Sequence, residues 1–362
     1  QIVFLINKNF YANNIDLLMH FVNISFSSLS ILGLYIFTKK IFNTNIAILT
    51  SLLTLLNPFF FGHMGMNSKD LIVFFSLIWF CYYFYLYCTE DKKIIKNLIL
   101  SSIFIGFGCG VRLTFLIVIF PAVICGLIFL FKKYESDLKY LTKRLLFHSL
   151  IAIVITTFFV ILCWPHMIEE IRNGNFTKFF SLIVKNTINW NDGPKLGLIN
   201  GEYYEVFNTP KEYFLNIIIY RLPFYFTLLI VASYFLIFTK KLLIKKHIKG
   251  FYQKFLTINI IGFFPISLAL ILSVNIYDNL RLFLFIIPFF SLIAAFSIDQ
   301  FFYTFNSSFK SKFFLITIIV LFSFSFYRFI LLTPYQYDYV NYSTLKHKDI
   351  NEKWEHDYWG SS

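Results

Sequence analysis

The sequence predicts an all-α integral membrane protein with about ten transmembrane helices, and three observations predict it. Hydrophobic residues are 58% of the 362 residues and charged ones only 14%, with a mean hydropathy of +0.68. A soluble domain of this length has no use for so much apolar surface. Ten apolar segments follow one another, near 15–38, 44–61, 71–88, 94–110, 113–131, 145–163, 222–239, 255–274, 282–300 and 313–332. Each is about the length that crosses a bilayer as a helix. The connections between them alternate in charge.

One set of connections is basic. It holds Lys39 and Lys40; Lys92, Lys93 and Lys96; Lys132, Lys133, Lys139, Lys143 and Arg144; Lys240, Lys241, Lys245, Lys246, Lys249 and Lys254; and Lys310 with Lys312. These five loops carry more than half of the 32 lysines and arginines. By the positive-inside rule they are cytoplasmic. The formal charge of +13 is thus a topology signal, and no nucleic-acid partner is expected. The opposite set holds most of the 19 acids: the 62–70 loop, the Gly110-Val111-Arg112 junction, residues 164–221, residues 275–281 and the tail. This division assigns six helices to 1–163, an outer surface segment to 164–221, four helices to 222–332 and an outer tail to 333–362. Cys81, Cys88, Cys109, Cys125 and Cys163 all lie in apolar runs and read as small buried hydrophobes. The 50 Phe, with abundant Ile, Asn and Lys, look like the codon bias of an AT-rich genome, so no aromatic cage is read from them. The chain opens on Gln1 and closes on Ser362 without a natural start or stop, which reads as a fragment truncated at both ends.

In chain order, Asp16, His20 and Asn23 fall at i, i+4 and i+7 and share one helical face. That stripe faces protein or a cavity, or it marks a helix end dipping into the headgroups. The most unusual stretch comes next, at Phe60-Phe61-Gly62-His63-Met64-Gly65-Met66-Asn67-Ser68-Lys69-Asp70, between two long apolar runs. His63, Asn67, Lys69 and Asp70 together in one short loop suggest function, because ionisable groups at membrane depth are costly. An ordinary turn, with Lys69 and Asp70 capping the next helix, fits the same residues.

Arg112 closes the run Gly106-Phe107-Gly108-Cys109-Gly110-Val111. Glycines there permit close backbone approach, and an arginine fork suits phosphate; snorkelling to the interface is the competing reading. Further on, Phe176, Phe179, Phe180, Ile183, Thr187 and Trp190 recur at helical spacing. They predict an amphipathic helix lying in the membrane surface, anchored by Trp164 and Trp190. Asn200-Gly201 predicts a tight hairpin. Thr209-Pro210-Lys211-Glu212 is a capping box that starts a new helix, with proline at its first position. In Asn275-Ile276-Tyr277-Asp278-Asn279-Leu280-Arg281, the Asp and Arg three apart either pair with each other or face a ligand.

Asn57-Pro58-Phe59-Phe60-Phe61-Gly62-His63, followed by Asn67-Ser68-Lys69-Asp70, resembles the P-x-F-F-G-H-x-x-x-N-P-K-D signature of bacterial C-type membrane glycosyltransferases. That superfamily includes protein O-mannosyltransferases and the aminoarabinose transferase of lipid A. Ser68 stands where those relatives carry proline, so this turn is less rigid. Four further elements are similar to the family's: the glycine-rich G-x-R at Arg112; the outer loop from Trp164-Pro165 through Gly193-Pro194 to Tyr204; the run from Tyr277 to Phe285; and Pro334-Tyr335-Gln336 with Asp357-Tyr358-Trp359-Gly360.

The resemblance implies a GT-C-like fold and an inverting transferase. Its donor would be a polyprenyl-phosphate sugar, its acceptor a lipid, glycan or protein, and its place the outer face of a bacterial cytoplasmic membrane, among membrane lipids. Asp70 and Lys69 are its candidate catalytic residues. His63, Asn67, Arg112, Tyr277, Asp278 and Arg281 are its candidates for binding substrate and lipid phosphate. No metal-ligand set and no required cofactor is read, although the reaction admits a divalent cation. The family's usual base lies in a first outer loop, which here would precede Gln1, so Asp70 stays open between base and supporting acid. Two other functions stay open as well: a flippase or transporter of lipid-linked sugars, and an assembly subunit without catalysis. No internal repeat is seen and the charges sit at loop edges, both of which disfavour the transporter.

Overall fold

The computed structural model describes residues 8–175, 177, 181, 196–199, 201–205, 208–239, 250–272, 279–304 and 308–341. The described residues are built from helices, with one small hairpin. In order they are α1 (Lys8–Ile41), α2 (Thr44–Leu55), α3 (Pro58–His63), α4 (Asp70–Thr89), α5 (Ile94–Val111), α6 (Phe115–Lys133), α7 (Leu138–Cys163) and α8 (Pro165–Arg172). The strands β1 (Leu196–Ile199) and β2 (Glu202–Glu205) come next. Then follow α9 (Lys211–Arg221), α10 (Phe224–Phe238), α11 (Phe251–Leu272), a 3-10 segment (Asn279–Ile286), α12 (Ile287–Tyr303), α13 (Phe309–Leu331) and a short 3-10 turn (Gln336–Asp338).

Among the described residues, eight helices are long and apolar enough to cross a membrane, or nine if the bent pair α9–α10 is one span. Two of the ten expected runs are broken rather than single straight helices. The run 44–61 is not one helix: α2 has 12 residues, about 18 Å at 1.5 Å per residue, too short for a bilayer core of roughly 30 Å. Pro58 ends it, since a proline inside a helix loses a hydrogen bond and clashes with the preceding turn. Asn57 then caps α3, its side-chain oxygen accepting the Phe59 and Phe60 N–H groups at 3.1 and 3.3 Å. The run 222–239 is likewise a 15-residue α10, turned by 106° from α9 at Leu222-Pro223.

The chain gathers into two compact units, residues 1–71 with 194–362 and residues 72–193. In the first, α12 is buried without interruption from Ile287 to Ile298, as expected of a helix that is apolar all round. It packs against α2 and α10. Ser297 and Ser233 tie α12 to α10: the Ser297 hydroxyl donates to the Leu229 carbonyl at 2.9 Å, and its N–H donates to the Ser233 hydroxyl at 3.1 Å. Small polar cross-links of this kind serve where no hydrophobic force acts between helices in lipid. At the C-terminal end of α1, the Lys254 ammonium donates to the Ile41 carbonyl at 2.9 Å, so two of the basic connections meet.

In the second unit, α5 lies against α7. A Cβ at Gly106 would come within 2.5 Å of Phe159, and one at Gly110 within 2.5 Å of Cys163. The glycine run before Arg112 is therefore the close-approach face of a helix pair. At its end the Trp164 indole N–H donates to the Gly110 carbonyl at 2.6 Å.

Strands β1 and β2 form the expected hairpin, pairing Ile199 with Glu202 and Leu196 with Glu205, and Gly201 takes φ +87°. Helix α9 starts at Lys211 with Pro210 as its cap residue, one position later than the capping box predicted, and no side chain caps it. The amphipathic helix expected over 176–190 lies almost wholly outside the described residues.

Candidate functional site

The 64–69 loop joins α3 to α4 and is held from three directions. From behind, the His63 carbonyl accepts the N–H groups of Met66 and Asn67 at 3.2 and 3.1 Å. From the front, the Asn67 side-chain oxygen accepts the N–H groups of Lys69 and Asp70 at 3.3 and 3.0 Å, which starts α4. From the side, α1 supplies a polar stripe: His20 Nδ1 donates to the Gly65 carbonyl at 2.7 Å, Asn23 donates to the same carbonyl at 3.0 Å, and Ser27 reaches the Met64 carbonyl at 3.3 Å. The stripe read from Asp16, His20 and Asn23 is thus a cradle for loop backbone, extended by Ser27, with Asp16 exposed.

Asp70 opens α4, where the helix dipole favours a carboxylate. Its residue is 4% exposed. One carboxylate oxygen accepts the Asn67 amide at 2.9 Å and lies 3.5 Å from Arg281 Nε. Arg281 comes from the 3-10 segment, far along the chain. A pair this sheltered from water is costly to break, because removing one partner strands the other charge.

His63 is fully buried. Phe59 meets it edge-on at 4.6 Å between centroids, and Tyr337 lies tilted over it at 6.1 Å. Burial, with the positive fields of Arg281 and Arg221, pushes its imidazole pKa down to about 3. It is a neutral ring at any physiological pH.

The structure therefore brings together four of the residues singled out from sequence: His63, Asn67, Asp70 and Arg281. Lys69 sits on the same loop with an exposed side chain. Arg112 belongs to the other compact unit, where its N–H closes α5 on the Gly108 carbonyl at 2.9 Å. Tyr277 and Asp278 lie outside the described residues. Among the described residues no three His, Cys, Asp or Glu side chains converge as a metal site would require.

Sequence reading missed Arg221, Tyr337, Asp338 and Asn341. Arg221, 2% exposed, reaches the 336–341 segment, and that segment packs on α3: a Cβ at Gly62 would collide with the Tyr337 nitrogen. The available signals were slight, a lone arginine before Leu222-Pro223 and an aromatic run after Pro334.

Residues 12–164 match the family described as dolichyl-phosphate-mannose-protein mannosyltransferase. Over that stretch the chain is similar to the C-type glycosyltransferase superfamily. No curated protein and no solved structure matches the chain. The glycosyltransferase match includes His63, Asn67, Lys69, Asp70 and Arg112. Arg281 and residues 336–341 fall beyond it and join the matched residues only through the tertiary fold. With its many apolar helices the protein is a multi-pass integral membrane protein.

Proposed function

We propose that this protein transfers a sugar from a polyprenyl-phosphate donor to a hydroxyl or amine of a lipid, glycan or protein acceptor. The reaction would take place at the non-cytoplasmic face of a bacterial cytoplasmic membrane. The observation that carries this reading is the sheltered Asp70–Arg281 pair, 3.5 Å apart at the head of a membrane helix. It sits at the end of its unit away from the contact between Lys254 and Ile41. A donor with its tail in the bilayer and its sugar outside needs its reacting atoms at such a helix end.

In this reading the acceptor oxygen or nitrogen attacks the anomeric carbon in line. The bond from that carbon to the phosphate oxygen breaks, and the electron pair leaves with the polyprenyl phosphate. Asp70 takes the acceptor's proton. Arg281 and the exposed Lys69 meet the charge that collects on the departing phosphate, where a fixed guanidinium fork acts best. Asn67 keeps the carboxylate aimed, and neutral His63 packs beneath the loop without adding charge.

The test uses the full-length protein in nanodiscs with radiolabelled polyprenyl-phosphate mannose and a membrane extract as acceptor. Asp70→Asn and Arg281→Met should each abolish transfer while the protein still inserts. Normal transfer by both variants would overturn the reading. Donor movement across a proteoliposome membrane without transfer would favour a flippase.

A further inference from the structure

We propose that Arg221 is a positioning residue for this site, holding residues 337–341 against α3 so that Asp70 keeps its place, a role that rests on the transferase reading. Helix α9 must stop at Arg221 because Pro223 cannot continue it. Its last carbonyls would then lack partners. Asn341 supplies them: its N–H donates to the Tyr220 carbonyl at 2.7 Å, and its side-chain amide donates to the carbonyls of Ile219 and, at 3.2 Å, Leu222. Arg221 completes the joint. Its Nη1 donates to the Tyr339 carbonyl at 3.0 Å and the Tyr337 carbonyl at 3.4 Å, and lies 3.7 Å from the Asp338 carboxylate.

From this clamp a continuous chain of contacts leads to the reacting groups. Tyr337 is fully buried, and its backbone presses on Gly62 so closely that any side chain there would collide. Gly62 precedes His63, whose carbonyl fixes Asn67. Asn67 in turn holds Asp70 at both its N–H and its carboxylate. Each link is rigid on its own scale, so a shift at Arg221 has no soft element in which to dissipate before it reaches Asp70.

The experiment pairs Arg221→Met with Asp338→Asn, so that no buried carboxylate is left alone. Gly62→Ala attacks the same joint from the other side and leaves Arg221 untouched. Both are made in the full-length protein in nanodiscs. Steady-state transfer from polyprenyl-phosphate mannose and amide hydrogen exchange are measured. Either change should lower kcat about ten- to a hundred-fold, the cost of misplacing a reacting group by a fraction of an ångström to an ångström, and leave the donor KM within about two-fold. Exchange should rise at 62–70 and 336–341 while α5 to α7 keep their protection. Combined with Asn67→Ala, which breaks the same chain, either change should cause no further loss beyond about two-fold, because both act through one path. Unchanged kcat, fully multiplicative losses, or exchange raised along the whole chain would overturn the proposal. If the wild-type protein transfers no sugar from this donor, the transferase reading falls by itself. Exchange then decides the clamp alone, and unaltered protection at 62–70 in both variants would refute it.

Discussion

Asn67 and Asp70 hold each other from both ends. The Asn67 oxygen accepts the Asp70 N–H at 3.0 Å, and its amide donates to the Asp70 carboxylate at 2.9 Å. One side chain thereby starts a helix and aims its first charge. Asn67→Asp keeps the acceptor but loses the donor, and it sets a second carboxylate against the first. We expect it to destabilise the protein by about 2–3 kcal/mol, the cost of stripping a buried charge of its donor, read as a lower midpoint of thermal unfolding in detergent. Asn67→Ser keeps an acceptor for the helix start and should fall between. Equal midpoints for all three would show that the reciprocal hold contributes nothing.

Arg281 should not be replaceable by lysine. Arg281→Met is expected to reduce transfer about a hundred-fold or more, as the loss of one fixed donor at a developing charge does. Arg281→Lys should be nearly as damaging, since a point charge cannot copy the planar fork. Initial rates from polyprenyl-phosphate mannose decide this, and a lysine variant at wild-type rate would remove Arg281 from the phosphate.

His63 makes the fold sensitive to acid. An unfolded imidazole titrates at 6.5, whereas the buried one stays neutral down to about 3. Between those values the unfolded chain binds the extra proton, so stability falls as pH drops below about 6.5, by up to about 1.4 kcal/mol per pH unit. Above about 6.5 this contribution to the slope vanishes. His63→Gln should flatten the decline in unfolding midpoint between about pH 7 and pH 5. A parallel decline in the variant would assign the acid sensitivity elsewhere.

Single cysteines on either side of α4 test the orientation. Lys69 and Lys93 are both exposed and flank this 20-residue helix, about 30 Å long, the thickness of a bilayer core. A membrane-impermeant thiol reagent applied outside should label Lys69→Cys and spare Lys93→Cys. Cys81, Cys88 and Cys109 are buried, and the half-buried Cys125 and Cys163 are replaced by alanine to keep the background low. The reverse pattern would invert the topology.

Much of the site was legible in the chain because its parts lie close together. His63, Asn67 and Asp70 sit within eight residues, and the tight turn between α3 and α4 leaves them little room to separate. Arg281 was legible as a charge at a helix start, but its partner was not. The sequence offers nearby Asp278, which lies outside the described residues, and only the structure sets Arg281 beside Asp70. The break at Asn57-Pro58 was visible in the residues yet outweighed by the apolar run around it. Proline chemistry won over hydropathy because α2 packs against α12 and α1 inside the protein, where neighbouring helices tolerate a break in the run.

What the sequence determined alone is whatever a bilayer demands locally: apolar length, charge at the loops, small residues where α5 meets α7, and a two-residue hairpin at Gly201. Each is written within a few consecutive residues, because hydropathy, helix rise and turn geometry are short-range properties. Only the tertiary structure decided that Arg221 clamps residues 337–341, that Tyr337 rests on Gly62, and that the stripe of α1 cradles Gly65. Those contacts join segments far apart in the chain. No periodicity announces a buried arginine's choice among distant carbonyls, since that choice is made by which backbones the packed helices bring within 3.5 Å of it.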